Sequence, residues 1–374
     1  MIELSTHPAI SEIGADAWNA LVAAEDPPFL RYEFLHILEV TGAASAERGW
    51  APMHLAFREA GELVAVAPAY VKGHSQGEFV FDHGIAEFAE HRLKLAYYPK
   101  LVVAAPFTPA TGARLLCPRP ERRGQLYAAL AAGLARLLDT FELSSAHVLF
   151  SDAEEAAALR AAGLAQRLGV QLHWHNDGYA RFDDFLAAQT SKRRHQMRRE
   201  RRAMEAQGLR LETRLGSELD ASLVNHVFEC YRNTIERYFW GRQYLSREFF
   251  HAIVAAMPQQ VLTVIAYEAD AQRPVAAAFN LLGKSAMYGR YWGALAEYDC
   301  LHFNVCYYHG IQESIERGLA RFEPGAGGEH KRARGFSPVR TYSAHLFADP
   351  RLDAVARDFF EREAHSIEGA LSET

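Results

Sequence analysis

The feature of this sequence that most constrains its fold is a repeated order of secondary-structure signals. In the first half, residues 56–59 and 63–70 are two apolar runs around a polar turn, as in a β-hairpin, and residues 266–269 and 275–282 repeat this arrangement in the second half. In each half, helical patterns precede the hairpin, and a strand, a helix and a further strand follow it. Such an order is typical of a duplicated domain, although apolar runs also resemble one another by chance.

The duplication predicts an α+β protein with two tandem domains, each a mixed, mostly antiparallel sheet flanked by helices. A chain of 374 residues exceeds one ordinary domain and is long enough for two. We place the boundary near Gly169, which gives domains at residues 1–168 and 169–374. The second domain then includes the basic segment 191–206.

Apolar spacing predicts one long helix in each half. Leucines recur on one face between residues 125 and 138, and this face predicts burial against the first sheet. In the second half, Tyr307, Ile311 and Ile315 are in register within a predicted helix over residues 303–318.

Charge and cysteine usage predict a cytoplasmic protein without a membrane span. The net charge of −6 argues against a nucleic-acid coat over the whole surface but leaves room for a local basic patch. The four cysteines have no C-x-x-C spacing, as expected for free thiols in a reducing compartment. No apolar run reaches the roughly 18 residues that a membrane helix needs, and the first residues lack the pattern of a signal peptide.

The segment 191–202 concentrates positive charge between the two halves. It contains seven basic residues and one acid, and its only apolar seam is Met197 and Met204. Most of the circumference of such a helix must face water or an anionic partner. A solvated cationic helix and a contact to a phosphate-bearing ligand both remain open, whereas readout of a nucleic-acid duplex lacks any accompanying motif.

The densest set of reactive groups lies in the segment 321–338. It combines two acids, one histidine and four basic residues with four glycines and two prolines, directly after a helical pattern and before a strand-like run. Glycine permits positive φ and a close approach of the backbone to a ligand, so the composition indicates a shaped loop. A charged, solvated surface loop is the alternative.

Two histidines on one predicted strand face raise the question of a metal site. Side chains alternate along a strand, so His173 and His175 point to the same side. Zinc sites need three or four ligands, and no further ligand motif completes this pair. We therefore predict no metal site.

Motifs over nearly the whole chain form a consistent set. They are Tyr97-Tyr-Pro-Lys-Leu101 and Pro106-Phe-Thr-Pro109 in the first half, the inter-domain Ser191-Lys-Arg-Arg194, and Arg290-Tyr-Trp-Gly293, Gly325-Ala-Gly-Gly-Glu-His-Lys331 and Thr341-Tyr-Ser-Ala-His345 in the second half. This set resembles the FemAB-like family of peptidoglycan biosynthesis and recognition proteins, which belongs to the GNAT acyltransferase superfamily. The resemblance implies two GNAT-like domains and an enzyme that transfers an acyl or aminoacyl group to an amine.

The resemblance also implies the site. Direct transfer needs a base for the amine proton and donors for the developing oxyanion, and no covalent enzyme intermediate. Glu329 and His330 are the expected bases, and backbone N–H groups or Lys331 are the expected oxyanion donors. Residues expected to bind substrate are Tyr98, Lys100, Thr108, Arg290, Tyr291, Trp292, His302 and Asn304, the last of which replaces the glutamate expected after His302-Phe303.

The donor and the acceptor stay open at this point. FemAB relatives use aminoacyl-tRNA, for which Lys192, Arg193 and Arg194 are the expected phosphate contacts. Acyl-CoA is the other candidate, but Pro324 takes the place of the first glycine in the pyrophosphate-binding loop of GNAT enzymes, counted from Arg321. We expect no tightly bound cofactor and an amine-bearing small molecule or peptide as acceptor, with tRNA as a further partner and the oligomeric state open. The alternatives are a non-catalytic module that binds a cell-wall or peptide fragment, and an RNA-binding protein.

Overall fold

The computed structural model describes residues 2–237, 242–268 and 273–372. Contacts divide the chain into two compact units, unit 1 with Met1–Val170 and Arg340–Thr374, and unit 2 with Gln171–Val339. The first boundary lies close to the one predicted at 168 and 169. The C-terminal segment differs, because we predicted it to be part of the second domain and it packs with the first.

In the described residues, unit 1 contains six α-helices, seven complete strands and parts of two further strands. The helices are α1 (Ala15–Asn19), α2 (Tyr32–Val40), α3 (His83–Phe88), α4 (Arg123–Thr140), α5 (Ala153–Ala161) and the C-terminal α12 (Pro350–Ser372). The strands are β1 (Ile2–His7), β2 (Trp50–Pro52), β3 (His54–Glu59), β4 (Glu62–Ala67), β5 (Ala69–Lys72), β6 (Lys100–Val103), β7 (Ser145–Ser151) and β14 (Ser337–Phe347), the last of which belongs to this unit from Arg340 onward.

The predicted hairpin and long helix of the first half are both present. Strands β3 and β4 pair antiparallel around a turn at residues 60 and 61, and β1 pairs with the other edge of β3. The second layer has the order β2-β5-β6-β7-β14, in which only β6 and β7 run parallel. The leucine face of α4 is buried with these strands, as the spacing predicted. The result is a mixed, mostly antiparallel sheet covered by helices.

Within the described ranges, unit 2 also combines six helices with a mixed sheet, but its hairpin is part of that sheet and not of a separate one. Its helices are α6 (Phe182–Ala188), α7 (Ser191–Glu205), α8 (Ala221–Glu236), α9 (Arg247–Ala256), α10 (Leu301–Phe303) and α11 (His309–Glu316). Its strands are β9 (Leu209–Leu215), β10 (Val261–Glu268), β11 (Pro274–Leu282), β12 (Ala286–Ala294), β13 (Arg321–Glu323) and the end of β8 (Ala165–His175).

The sheet of unit 2 has the order β8-β13-β12-β11-β10-β9. Strands β10 and β11 form the predicted hairpin, whose turn at residues 269–272 lies outside the described residues. Only β12 and β13 run parallel, so each sheet has one parallel pair next to an antiparallel strand. The predicted α+β class, with a mixed and mostly antiparallel sheet in each half, is confirmed.

The predicted helix over residues 303–318 is interrupted. Helix α10 is followed by a π-helical stretch at Asn304–Tyr308 and then by α11. A π-helical stretch also follows α3 in unit 1, at Ala89–Leu93. A stretch of irregular helix thus occurs in both units, and in unit 2 it forms part of the wall of a cavity.

The longest described helix is the amphipathic α12, with 23 residues. Leu352, Ala356 and Phe360 on one face of it are buried against unit 1. No helix in the described part of the chain combines the length and the apolar character that crossing a membrane requires.

Candidate active site

A cavity of about 290 Å³ in unit 2 brings together most of the residues predicted for the second half of the site. Its walls come from β11 and β12, from the π-helical stretch, and from the loop after β13. The side chains and backbone that line it are Ala278, Asn280, Gly289, Arg290, Tyr291, Trp292, His302, Cys306, Tyr307, Pro324, Ala326, Gly327, Gly328, His330 and Lys331.

A β-bulge places four consecutive residues of β12 on the cavity. Phe279 pairs with Tyr291 and Asn280 with Gly289, so Arg290 is the extra residue that forms the bulge on β12. A bulge bends its strand and redirects the side chains around it, and bulges are common next to active sites. It explains why residues 289–292 all line the cavity, which a regular strand with alternating faces does not allow.

The glycine-rich loop reaches the same cavity because its backbone adopts conformations that side chains disfavour. Gly325 and Gly328 both have φ of +86°. A Cβ at Gly328 would lie 3.0 Å from the His330 ring and 3.2 Å from Cε of Lys331. Glycine at this position therefore lets the following 3₁₀ turn, Glu329–Arg334, bring its side chains back over the loop.

His330 and Tyr307 form a hydrogen-bonded pair on the cavity wall. The hydroxyl of Tyr307 and Nε2 of His330 are 2.9 Å apart. Partial burial and the nearby charges of Arg334 and Lys331 lower the pKa of His330. Its imidazole is therefore neutral at pH 7, which is the state in which it accepts a proton. The sequence motifs included Tyr307, but nothing in the sequence alone paired it with His330.

Lys331 carries a buried ammonium group without a carboxylate partner in the described part of the chain. The residue is 3% exposed, and its Nζ donates to the carbonyl oxygen of Gly325 at 2.7 Å. Burial lowers the pKa of Lys331 to about 8, although the neighbouring Cys306 thiol opposes this shift. An ammonium has three donors, and a buried one without a counter-ion favours an anion or a developing negative charge beside it.

His302 lies on the cavity wall among aromatic rings. Its ring centroid is 4.8 Å from that of Trp292 and 5.1 Å from that of Tyr307. Burial, with smaller contributions from His330 and Lys331, lowers the pKa of His302 to about 4. The imidazole is thus neutral and packs as an aromatic surface of the cavity.

Glu329 faces away from the cavity. Its side chain is 84% exposed, and its Oε2 accepts a hydrogen bond from Nε of Arg332 at 2.9 Å. It is absent from the lining, although the neighbouring His330 and Lys331 are part of it. In a 3₁₀ turn, successive side chains point about 120° apart, which accounts for this separation.

Asn304, which replaces the expected glutamate, is buried and engaged with the backbone. Its Nδ2 donates to the carbonyl oxygens of Cys300 and Glu200, at 2.9 and 3.0 Å. The residue lines a second cavity of about 350 Å³ beside α7, together with Tyr308 and His309, rather than the cavity that holds His330.

The three predicted residues of the first half lie in unit 1. Lys100 is fully buried, and its Nζ donates to Ser75 and to the carboxylates of Glu78 and Asp82. The hydroxyl of Tyr98 is 2.8 Å from that of Ser75. Thr108 is buried and donates to the carbonyl oxygen of Pro106 at 3.0 Å. The side chains of Lys100 and Thr108 thus form their hydrogen bonds with other groups of the protein, and their role in substrate binding stays a prediction.

The basic segment forms α7, and its cations divide into two groups. Lys192, Arg193 and Arg198 are exposed, and none of them has a carboxylate within 4.0 Å in the described part of the chain. Arg194 instead donates to the carbonyl oxygens of Ala187 and Gln189, at 3.0 and 3.2 Å, and so caps α6. Of the three residues predicted as phosphate contacts, two therefore present free charges and one stabilises a helix end.

Glu200, the one acid within residues 191–202, faces inward with Met197 and Met204. It is 5% exposed and forms an ion pair with Arg334, which is 4% exposed. The sequence did contain a signal for this orientation, because residues 197, 200 and 204 share one face of a helix. The spacing of the apolar residues alone does not reveal it, because it includes Met197 and Met204 but not Glu200.

His173 and His175 do not assemble a ligand set. Nε2 of His173 lies 3.1 Å from Oε1 of Gln171, and burial lowers the pKa of His173 to about 3. Across the described ranges, no group of three or more histidine, cysteine, aspartate or glutamate side chains is arranged to hold a metal ion.

Comparisons with known proteins cover almost the entire chain. The model of the FemAB-like family, described as peptidoglycan biosynthesis/recognition, matches residues 9–374. No curated protein sequence matches the chain. Among solved structures, FemX is similar with a TM-score of 0.56 at 12% identity, over 95% of this chain and 100% of that chain. The structure of L-PGS from Bacillus licheniformis is similar with a TM-score of 0.54 at 11% identity, over 91% of this chain and 98% of that chain. At these identities, the two structures support the fold.

Proposed function

Because this chain belongs to the FemAB-like family of peptidoglycan biosynthesis and recognition proteins, we propose that it transfers an acyl or aminoacyl group to an amine in the cavity of unit 2. The observation that carries the proposal is the adjacency of a neutral His330, hydrogen-bonded to Tyr307, and a buried ammonium at Lys331. These two groups supply a proton acceptor and an oxyanion donor, which are the requirements of direct transfer.

In the reaction, the amine nitrogen attacks the carbonyl carbon of an ester or thioester. The new C–N bond forms as the carbonyl π electrons move to oxygen, and Lys331 stabilises the resulting oxyanion. The C–O or C–S bond of the donor then breaks. His330 takes the proton from the nitrogen and returns it to the leaving oxygen or sulfur. Removing a single oxyanion donor typically costs about 3–4 kcal/mol, so Lys331 contributes a large share of the acceleration.

The exposed positive charge of α7 favours a donor that carries phosphate groups. Lys192, Arg193 and Arg198 present unpaired charges on α7, the helix whose inner face holds the turn that carries His330. A cationic surface concentrates polyphosphate ligands in an otherwise acidic protein. We favour aminoacyl-tRNA over acyl-CoA, with the amine of a peptidoglycan precursor or related peptide as acceptor. We place the reaction in the cytoplasm, in keeping with Cys117, Cys230, Cys300 and Cys306, which are all free thiols.

The test is a transfer assay with the purified full chain. Radiolabelled aminoacyl-tRNA and acetyl-CoA are offered separately with a panel of amine-bearing muropeptides, and the amide product is identified by mass spectrometry. We expect product from the tRNA donor, and removal of the amine from the acceptor should abolish it. Tight binding of muropeptide without turnover of either donor would instead favour a recognition module.

A further inference from the structure

Glu200 connects the cationic helix α7 to the turn that carries the proposed base. Its two carboxylate oxygens accept from the guanidinium of Arg334, Oε1 from Nη2 at 2.7 Å and Oε2 from Nε at 3.1 Å. The hydroxyl of Tyr308 also donates to Oε2. Nε2 of Gln196 donates to Oε1 at 2.9 Å. A buried carboxylate with this bidentate partner and two further donors is held in one orientation.

Arg334 passes this orientation on to the main chain of the site. Its Nη1 donates to the carbonyl oxygen of His330 at 2.8 Å. Its guanidinium carbon lies 3.3 Å from the centroid of the Phe303 ring, so the planar group is stacked as well as hydrogen-bonded. Arg334 is the last residue of the 3₁₀ turn Glu329–Arg334, and its guanidinium folds back onto that turn. It thus fixes the backbone of His330, whose imidazole lines the cavity.

The backbone of Glu200 adds a second connection. Its carbonyl oxygen accepts from Nδ2 of Asn304, which is the first residue of the π-helical stretch. The same stretch contains Tyr307, the hydrogen-bond partner of His330. The side chain of Glu200 therefore contacts the turn that carries His330, and its backbone contacts the π-helical stretch that carries Tyr307.

We propose that Glu200 is a positioning residue, which holds Arg334 and Asn304 so that His330 and Tyr307 keep their hydrogen bond at the cavity. It does not line that cavity and has no part in bond making. The inference rests on the proposed function only in treating His330 as the reacting base. The buried acid within a cationic helix then has a physical reason, since most of the cations face outward and Glu200 serves the site.

The experiment is a pH titration of His330 by NMR, using protein labelled at histidine Cε1. The resonance is assigned by its loss in His330→Gln. In Glu200→Gln the shape is retained, but one oxygen and the charge that hold Arg334 are lost. We expect the turn to be released into water, so the measured pKa of His330 should rise from its lowered position toward the ordinary value of about 6.5.

The sign of this shift separates positioning from charge alone. If the turn stays in place, loss of the Glu200 charge leaves Arg334 uncompensated, and its field should lower the pKa of His330. A lowered or unchanged pKa in Glu200→Gln overturns the proposal. Glu205→Gln is the matched control, because Glu205 is exposed on the same helix and should leave the titration as in the wild type.

A second variant keeps the test independent of folding failure. Arg334→Lys retains the positive charge but loses the planar fork, so it should raise the pKa of His330 in the same way. In both variants the amide resonances of β10 to β12 must stay at their wild-type positions, which shows that the effect is confined to the site. The titration needs no acyl donor, so its failure and a failure of the transfer assay are distinguishable.

Discussion

Glu329, His330 and Lys331 are neighbours in sequence that the fold places in three different surroundings. Glu329 is solvated and paired with Arg332, His330 meets Tyr307 at the cavity wall, and Lys331 is buried beneath the loop. The motif alone made all three catalytic candidates. Only the path of the backbone through Gly328 and the 3₁₀ turn separates them.

His330→Gln and Glu329→Gln should therefore differ in activity. Loss of a general base typically costs about 10²- to 10⁴-fold, so we expect His330→Gln to lower kcat/KM by at least about 10²-fold. Glu329→Gln should stay within about threefold of the wild type, since a solvated carboxylate outside the cavity has no proton to take from the substrate. Steady-state kinetics of the two variants, with melting temperatures as a control for folding, decide the matter. Equal losses in both variants would return Glu329 to the mechanism.

At the scale of single elements, α7 separates a phosphate-binding role from a structural one. The exposed Lys192, Arg193 and Arg198 have no carboxylate within 4.0 Å in the described chain, whereas Arg194 caps α6. The sequence indicated the charge of this helix correctly but grouped Arg194 with its neighbours. The cap depends on where the preceding helix ends in space, which residue spacing does not report.

Replacing Lys192, Arg193 and Arg198 by alanine should weaken the binding of tRNA that carries no amino acid, and it should reduce the salt dependence of that binding. Each lost phosphate contact lowers the slope of log K against log salt by about 0.7 to 0.9, so the triple variant should lose roughly two units or more. Fluorescence anisotropy at several salt concentrations measures this slope. Arg194→Ala serves as the control. It should lower the melting temperature and leave the slope of log K against log salt close to that of the wild type. An unchanged slope in the triple variant removes α7 from donor binding.

Two irregular elements of the site could not be predicted from periodicity. The sequence predicts a strand after the second hairpin and a helix over residues 303–318. The structure contains the strand and an interrupted helix, yet the cavity depends on the β-bulge at Arg290 and on the π-helical stretch 304–308. Each irregularity adds a residue relative to the regular period, and that insertion changes which side chains face the cavity. The family resemblance nevertheless supplied most of the lining residues, because motifs record such irregularities without explaining them.

At the scale of the whole molecule, the sequence predicts two duplicated domains. It assigns residues 340–374 to the second domain, whereas they pack with the first. The repeat indicated where the second half begins, near residue 170, but not that β14 and α12 complete unit 1. Strand β14 pairs antiparallel with β7, with His345 opposite His147. Pairing between segments so far apart leaves no local pattern in the sequence.

Buried histidines should make the protein sensitive to acid. Burial lowers the pKa of His345 and of His173 to about 3, below the ordinary value of 6.5. The unfolded chain then binds more protons, so their contribution to stability is complete above pH 6.5 and is lost as the pH falls toward 3, with a slope of up to about 1.4 kcal/mol per pH unit for each histidine. Glu78 and Glu155, whose pKa burial raises to about 7, act in the opposite sense over part of this range.

His345→Gln isolates one of these contributions. Its free energy of unfolding, measured with urea between pH 4 and pH 7, should fall less steeply with acidification than that of the wild type. His365→Gln is the control, because His365 is exposed on α12 and should leave the slope unchanged. A parallel pH dependence in His345→Gln and the wild type would show that His345 does not titrate on unfolding.

The pairing of β7 with β14 also bears on how the protein emerges from the ribosome. Nδ1 of His147 and Nδ1 of His345 are 2.6 Å apart in the folded protein, although 198 residues separate them along the chain. Translation adds about 5 to 20 residues per second, so one edge of β7 is without its partner strand for roughly 10 to 40 seconds. During that interval all of unit 2 is synthesised. A nascent chain therefore exposes one open edge of β7 until β14 has been synthesised, and an open edge is where a strand of another chain can pair.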